Sequence, residues 1–134
     1  MEAKIMNGTS LAYMGDSILE VFIRKYLLGK NITKVNELHK TAIKYTSGES
    51  QAKVVDYLLE NDLLTEEEII IYKRGRNSKT NQNRKNISDA LHNKSTGLEA
   101  VIGYLYLSDN SDRLLKILNY ILQIVEGGVQ KWKI

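Results

Sequence analysis

Apolar side chains recur at helical spacing along almost the whole chain, and no proline interrupts them. Both features favour helices over strands. Thr9 or Ser10 caps a first helix that runs to about Leu28, and Gly29-Lys30-Asn31 ends it. Thr33 opens a second, striped by Val35, Leu38, Ala42, Ile43 and Tyr45, and a third covers about Glu49 to Glu60. Thr65-Glu66-Glu67-Glu68 has the spacing of a capping box, so a fourth helix carries Ile69 to Ile71 toward a basic loop at about 73–87. Ser88 starts a short helix, Ser95 caps the next, and Ser111 caps a last one that Gly127-Gly128 stops. The expectation is a single all-α domain over residues 1–134.

A chain of 134 residues can bury roughly 65–70% of the surface it exposes when unfolded. Its balance of 43% apolar and 26% charged residues is that of a globular protein. Without cysteine, disulfides, thiolate catalysis and Cys-ligated zinc are excluded. No apolar run approaches the ~20 residues of a membrane span. The N-terminus MEAKIMNGTS lacks the order of a signal peptide, so a cytoplasmic protein with no membrane contact is expected.

Charge is concentrated in one place. Residues 72–94 hold seven Lys or Arg and one Asp, a net +6 in a chain whose total is +3. A basic segment on a slightly acidic body is either a solvated loop or the footprint of phosphate binding.

Two acids stand out against the helical pattern. On the first helix Asp16, Glu20 and Arg24 form a narrow stripe flanked by apolar residues, Val21 and Leu28 among them, so the helix should be largely buried. A Glu20–Arg24 pair explains part of that stripe, but Asp in a helix interior has poor propensity. In STGLEAVIGYLYL, residues 95–107, Glu99 is the only charge, with the small Thr96 and Gly103 on its face. A buried carboxylate needs an arginine, a proton or a metal. The residues alone leave a structural ion pair and a metal ligand both open.

LAYMGDSILEVFIR and STGLEAVIGYLYL together resemble the nuclease domain of the ribonuclease III family, specifically its Mini-ribonuclease III form, which lacks a double-stranded-RNA-binding domain. YKRGRNSK, residues 72–79, resembles the basic stretch between those motifs, and the likeness runs from about Asn7 to Leu122. The resemblance implies Asp16 and Glu99 as catalytic carboxylates holding Mg2+, with Glu20 and Thr96 able to join through water. It further implies hydrolysis of double-stranded RNA to 5′-phosphate products by a homodimer. The inferred target is the precursor of large-subunit (23S) ribosomal RNA, with a ribosomal protein as a further candidate partner. Larger ribonuclease III enzymes carry acids where this chain has Ala12 and Thr96, a departure that fits the Mini subgroup. Two carboxylates suffice for Mg2+ because the ion keeps several of its waters.

Duplex affinity then has to come from the nuclease domain itself. A-form RNA is read through shape, phosphates and 2′-hydroxyls. Lys73, Arg74, Arg76, Lys79, Arg84 and Lys85 are the candidate cations, and Asn77 is a candidate for a 2′-hydroxyl. His39 and His92 read as surface or hydrogen-bonded residues, and Tyr104 and Tyr106 as core. Trp132 in the terminal QKWKI is expected either to anchor the tail or to lie disordered. The alternative function is a non-catalytic helical RNA-binding or ribosome-assembly factor in which both acids are structural.

Overall fold

The computed structural model describes residues 2–78 and 87–127. A 3-10 turn at Ala3–Ile5 leads into α1 (Gly8–Gly29), α2 (Val35–Thr46), α3 (Gly48–Glu60), α4 (Glu66–Arg76), α5 (Ile87–Leu107) and α6 (Ser111–Val125). There is no strand among the described residues.

The local signals behind these elements are partly those expected. Thr65 and Glu68 form the capping box, with Glu68 N–H donating to Thr65 Oγ1 at 3.1 Å and Thr65 N–H to Glu68 Oε1 at 2.9 Å. The first helix begins one residue earlier than Thr9, because Asn7 Oδ1 accepts from Ser10 N–H at 2.8 Å and serves as the cap. Ser47 caps α3, whereas Lys34 and Asn110, the N-caps of α2 and α6 in place of Thr33 and Ser111, make no side-chain cap bond.

Further expectations fail. The basic loop does not begin at 73: Lys73, Arg74 and Arg76 lie in the last turn of α4, where cations suit the negative end of the helix dipole, and Asn77 is the C-cap. Nor do Ser88 and Ser95 divide two helices, since α5 runs through both. Ser95 is buried and spends its hydroxyl on Gln51 of α3, while Thr96 Oγ1 donates back to the His92 carbonyl at 3.0 Å. A serine in a helix interior is tolerable when its hydroxyl is bonded in this way.

Helix α5 is the axis of the fold, packed mainly against α1, with α4, α3 and α6 around it. Leu98, Ala100, Val101, Ile102 and Leu105 are all buried, the pattern of a helix enclosed on most sides. Its contact with α1 is a backbone contact. A Cβ placed on Gly15 would run into the Glu99 carbonyl oxygen, and one on Gly103 into that of Leu11. Helix α4 approaches in the same manner, with Gly75 against the Thr96 carbonyl and Gly97.

Helix α1 is less covered than its composition suggests. Leu11, Ala12, Leu19, Ile23 and Leu27 are buried, but Tyr13, Val21 and Leu28 are 80%, 66% and 54% exposed. Tyr106 is also largely exposed, while Tyr104 is in the core as expected.

Gly15→Ala or Gly103→Ala should destabilise the fold by about 3 kcal/mol or more, because backbone has to move. Gly29→Ala, at a helix end with open space around it, should be neutral or stabilise by a few tenths of a kcal/mol. Urea denaturation midpoints of the three variants check the contrast.

Candidate active site

Gly15 touches the backbone at Glu99, so the next residue of α1, Asp16, is brought to the Glu99 side chain. The two carboxyl groups face the same cavity, close enough for Asp16 to oppose ionisation of Glu99. They line an open cavity of about 350 Å³ together with Thr9, His92, Ser95 and Thr96, and the small Ala12 keeps the α1 side of it low. No ion pair among the described residues involves either acid.

Glu99 is half-buried, and its carboxyl is pushed up from 4.5 to about 8. Burial is the largest cause, followed by the hydrogen bond and charge of Asp16, with Glu20 adding a further negative charge. The Gln51 side chain opposes these by hydrogen bonding to the ionised form. Two facing carboxylates without a cation repel each other, and a divalent ion between them would remove that cost. The donor set fits a hard cation that brings its own waters. It would not make an all-protein cage, as no cluster of three or more potential ligands occurs among the described residues.

Other candidates are distributed unevenly. Thr96 lines the cavity, but Glu20 does not; it pairs with Arg24 at 3.4 Å and faces an apolar groove between α1 and α2. Lys73 is exposed. Arg74 directs its Nη1 to the carbonyls of Lys4 and Met6, at 2.7 and 3.0 Å, and so ties down the N-terminal turn. Arg76 lies over the Tyr72 ring, 5.7 Å from its centroid, and its Nε donates to Asn77 Oδ1 at 3.1 Å. Lys79, Arg84, Lys85 and Trp132 lie outside the described residues. Because Gly75 packs on Thr96 and Gly97, the basic end of α4 abuts the turn of α5 that precedes Glu99.

Sequence reasoning missed His92 and Ser95 as neighbours of the acids, and Gln51 as the partner of Ser95. His92, Ser95, Thr96 and Glu99 follow the i, i+3, i+4, i+7 spacing of one helix face, a signal hidden by breaking α5 at Ser95. Gln51 had no local signal. His39 remains an exposed residue on the α1–α2 groove.

Comparison with known proteins bears on the family and the overall fold. The Ribonuclease III domain model matches residues 9–110. The Mini-ribonuclease 3 of Streptococcus pneumoniae is 41% identical over 127 residues, covering 95% of this chain and 99% of that one. That of Staphylococcus aureus is 44% identical over 122 residues, covering 91% of each. A crystal structure of a protein from Fusobacterium nucleatum superposes with a TM-score of 0.73 at 29% identity, over 89% of this chain and 93% of that one.

Since Glu99 titrates higher in the fold than in the unfolded chain, the native state holds a proton that the unfolded state has lost between about 4.5 and about 8. This contribution to stability is complete at the low end of that range and is lost as pH rises through about 8. In EDTA the melting temperature should therefore decline across this range. Glu99→Gln should remove that part of the slope in melts recorded from pH 5 to 9.

Proposed function

Since the chain belongs to the ribonuclease III family, in its Mini-ribonuclease 3 group, it is an endoribonuclease, and we propose that it hydrolyses double-stranded RNA with Mg2+ held by Asp16 and Glu99. The observation that carries this reading is the meeting of two carboxyl groups from distant helices in one open notch, with no cationic partner among the described residues. The bound ion would supply Lewis-acid chemistry, polarising the scissile phosphate and making water a better nucleophile.

The chain's own residues do the rest. Asp16 and Glu99 would hold the cation in the notch they line. Thr96 can accept a hydrogen bond from a water there, because its own proton is committed to the His92 carbonyl. Water adds to phosphorus and the bond to the 3′-oxygen breaks. That oxygen takes a proton, leaving a 5′-phosphate and a 3′-hydroxyl. Glu20 acts through its charge rather than as a ligand, given its pairing with Arg24.

Binding of the duplex rests on Lys73, Arg76 and Asn77 at the end of α4, continued by Lys79, Arg84 and Lys85. Phosphate contacts of this kind position the duplex without reading its sequence. Arg74 adds charge while its guanidinium holds the N-terminal turn. The substrate is the precursor of large-subunit ribosomal RNA, with a ribosomal protein as an additional partner, and the place of action is the cytoplasm. No helix among the described residues is long and apolar enough to cross a membrane.

The active form is a homodimer in which each protomer cuts one strand. Supporting this is the uncovered face of α1, where Tyr13, Val21 and Leu28 are exposed although apolar surface of that kind is stabilised by burial.

Asp16→Asn and Glu99→Gln should each reduce cleavage of a labelled duplex by on the order of 10³-fold or more in Mg2+ while leaving duplex affinity within a few-fold of wild type. Retained cleavage in either variant would exclude the two-carboxylate site. Val21→Glu, at a position exposed in the single chain, should convert a dimer to a folded monomer in sedimentation velocity. An unchanged dimer would place the two-fold contact elsewhere.

A further inference from the structure

We propose that His92 is a substrate-binding residue that donates a ring N–H to a phosphate oxygen flanking the scissile bond, on the strand being cut. The inference rests on the nuclease reading above and concerns a residue outside both acid motifs.

The notch is walled by two stripes of the same spacing. Thr9, Ala12, Tyr13 and Asp16 come from α1, and His92, Ser95, Thr96 and Glu99 from α5. Each set follows i, i+3, i+4, i+7 and is one helix face. Phosphate oxygens need donors, no lysine or arginine lines the notch, and most of its hydroxyls are spent. Thr9 Oγ1 donates to Asn7 Oδ1 at 2.9 Å, Ser95 Oγ to Gln51 Oε1 at 2.9 Å, and Thr96 Oγ1 to the His92 carbonyl at 3.0 Å. A hydroxyl has one proton to give, and an ionised carboxylate has none. Among the described residues, only Tyr13 and His92 line the notch with an unused side-chain donor. Tyr13 also borders the apolar cavity of Met6, Met14 and Leu107, on the face of α1 assigned above to the dimer contact. His92 is the donor left to the substrate.

Its position suits that role. His92 is exposed, and only its carbonyl, which any residue would supply, is used by the fold. It precedes Glu99 by two turns of α5, roughly 10 Å at 1.5 Å per residue. The ring does not serve the ion, since among the described residues no three-member ligand cluster joins His92 to the two acids. With the scissile phosphate at the acids, a ring at this separation meets a neighbouring one. Gly75 of α4 abuts Thr96 and Gly97, so the basic end of α4 reaches α5 between the ring and Glu99 along the helix. A duplex held by the acids and by that basic end comes within reach of His92. A neutral imidazole keeps one N–H, so the contact needs no positive charge on the ring.

The test uses the full chain, Mg2+ and a labelled duplex in which single neutral methylphosphonate linkages are stepped along the cut strand on either side of the scissile bond. His92→Ala should raise KM about 10-fold or more, the worth of a hydrogen bond to a charged group, with kcat within a few-fold of wild type and the melting temperature unchanged. In wild type, one flanking methylphosphonate should carry a penalty of the same size. In His92→Ala that linkage should cost little, because the contact is already gone, while penalties elsewhere persist. His92→Gln, which retains an N–H donor near the end of its side chain, should keep the penalty at that linkage.

Equal linkage penalties in wild type and His92→Ala overturn the inference, as does a wild type indifferent to every flanking linkage. A His92→Gln variant that behaves as His92→Ala removes the donor role and overturns it too. A wild type that fails to cut the unmodified duplex overturns the parent reading, and the inference with it.

Discussion

Everything at the candidate site depends on the direct contact of two helix backbones. Gly15 and Gly103 let α1 and α5 approach until main-chain atoms of one meet those of the other. With side chains at those positions the helices would separate to the usual 8–10 Å. Asp16 and Glu99 would then no longer share a notch. The same contact explains why α5 can be enclosed, since the closest neighbour presents backbone rather than bulk. Gly75 and Gly97 repeat the device between α4 and α5, which brings the basic end of α4 to the same region.

The acids pay for that proximity in electrostatic terms. Burial and the Asp16 carboxyl both resist ionisation of Glu99, and among the described residues no lysine or arginine is paired with either group. A fold that required only stability would have placed a guanidinium there, as it does elsewhere. Arg113 meets the buried Glu68 with Nε at 2.7 Å and Nη2 at 2.8 Å, and gives a further bond to the Leu63 carbonyl. That carboxylate is compensated on all sides, including by the α4 cap. The contrast between the compensated Glu68 and the unpaired Glu99 is what singles out the second as a candidate for function.

Polar ties at the other end of the molecule leave the site open. Glu126, after α6, accepts from Tyr26 and from Tyr45, the latter at 2.8 Å, and so joins the ends of α1, α2 and α6. Burial and the Glu126 charge raise the Tyr45 hydroxyl far above its ordinary range, so it stays a donor. At the site end the corresponding ties are Ser95 to Gln51 and Lys94 to Asp56, both between α3 and α5. Neither crosses the mouth of the cavity.

The sequence by itself determined that the chain is all-α, where most helices begin and end, that Thr65 caps α4, and that two acids stand in unusual places. These are local properties, carried by apolar period and by capping residues within a few positions of each other. The same locality misled at Ser95, because a serine inside a helix and a serine at its start differ only in what the hydroxyl finds. There it found Gln51, on a helix that the spacing of α5 says nothing about. Only the tertiary structure decided that Asp16 faces Glu99 and that Arg74 holds the N-terminal turn. It also decided which apolar residues of α1 are left uncovered. Such outcomes depend on how closely whole helices approach, and in this chain the approach is set by the missing side chains of glycines such as Gly15 and Gly103, each acting on a residue far away in the sequence.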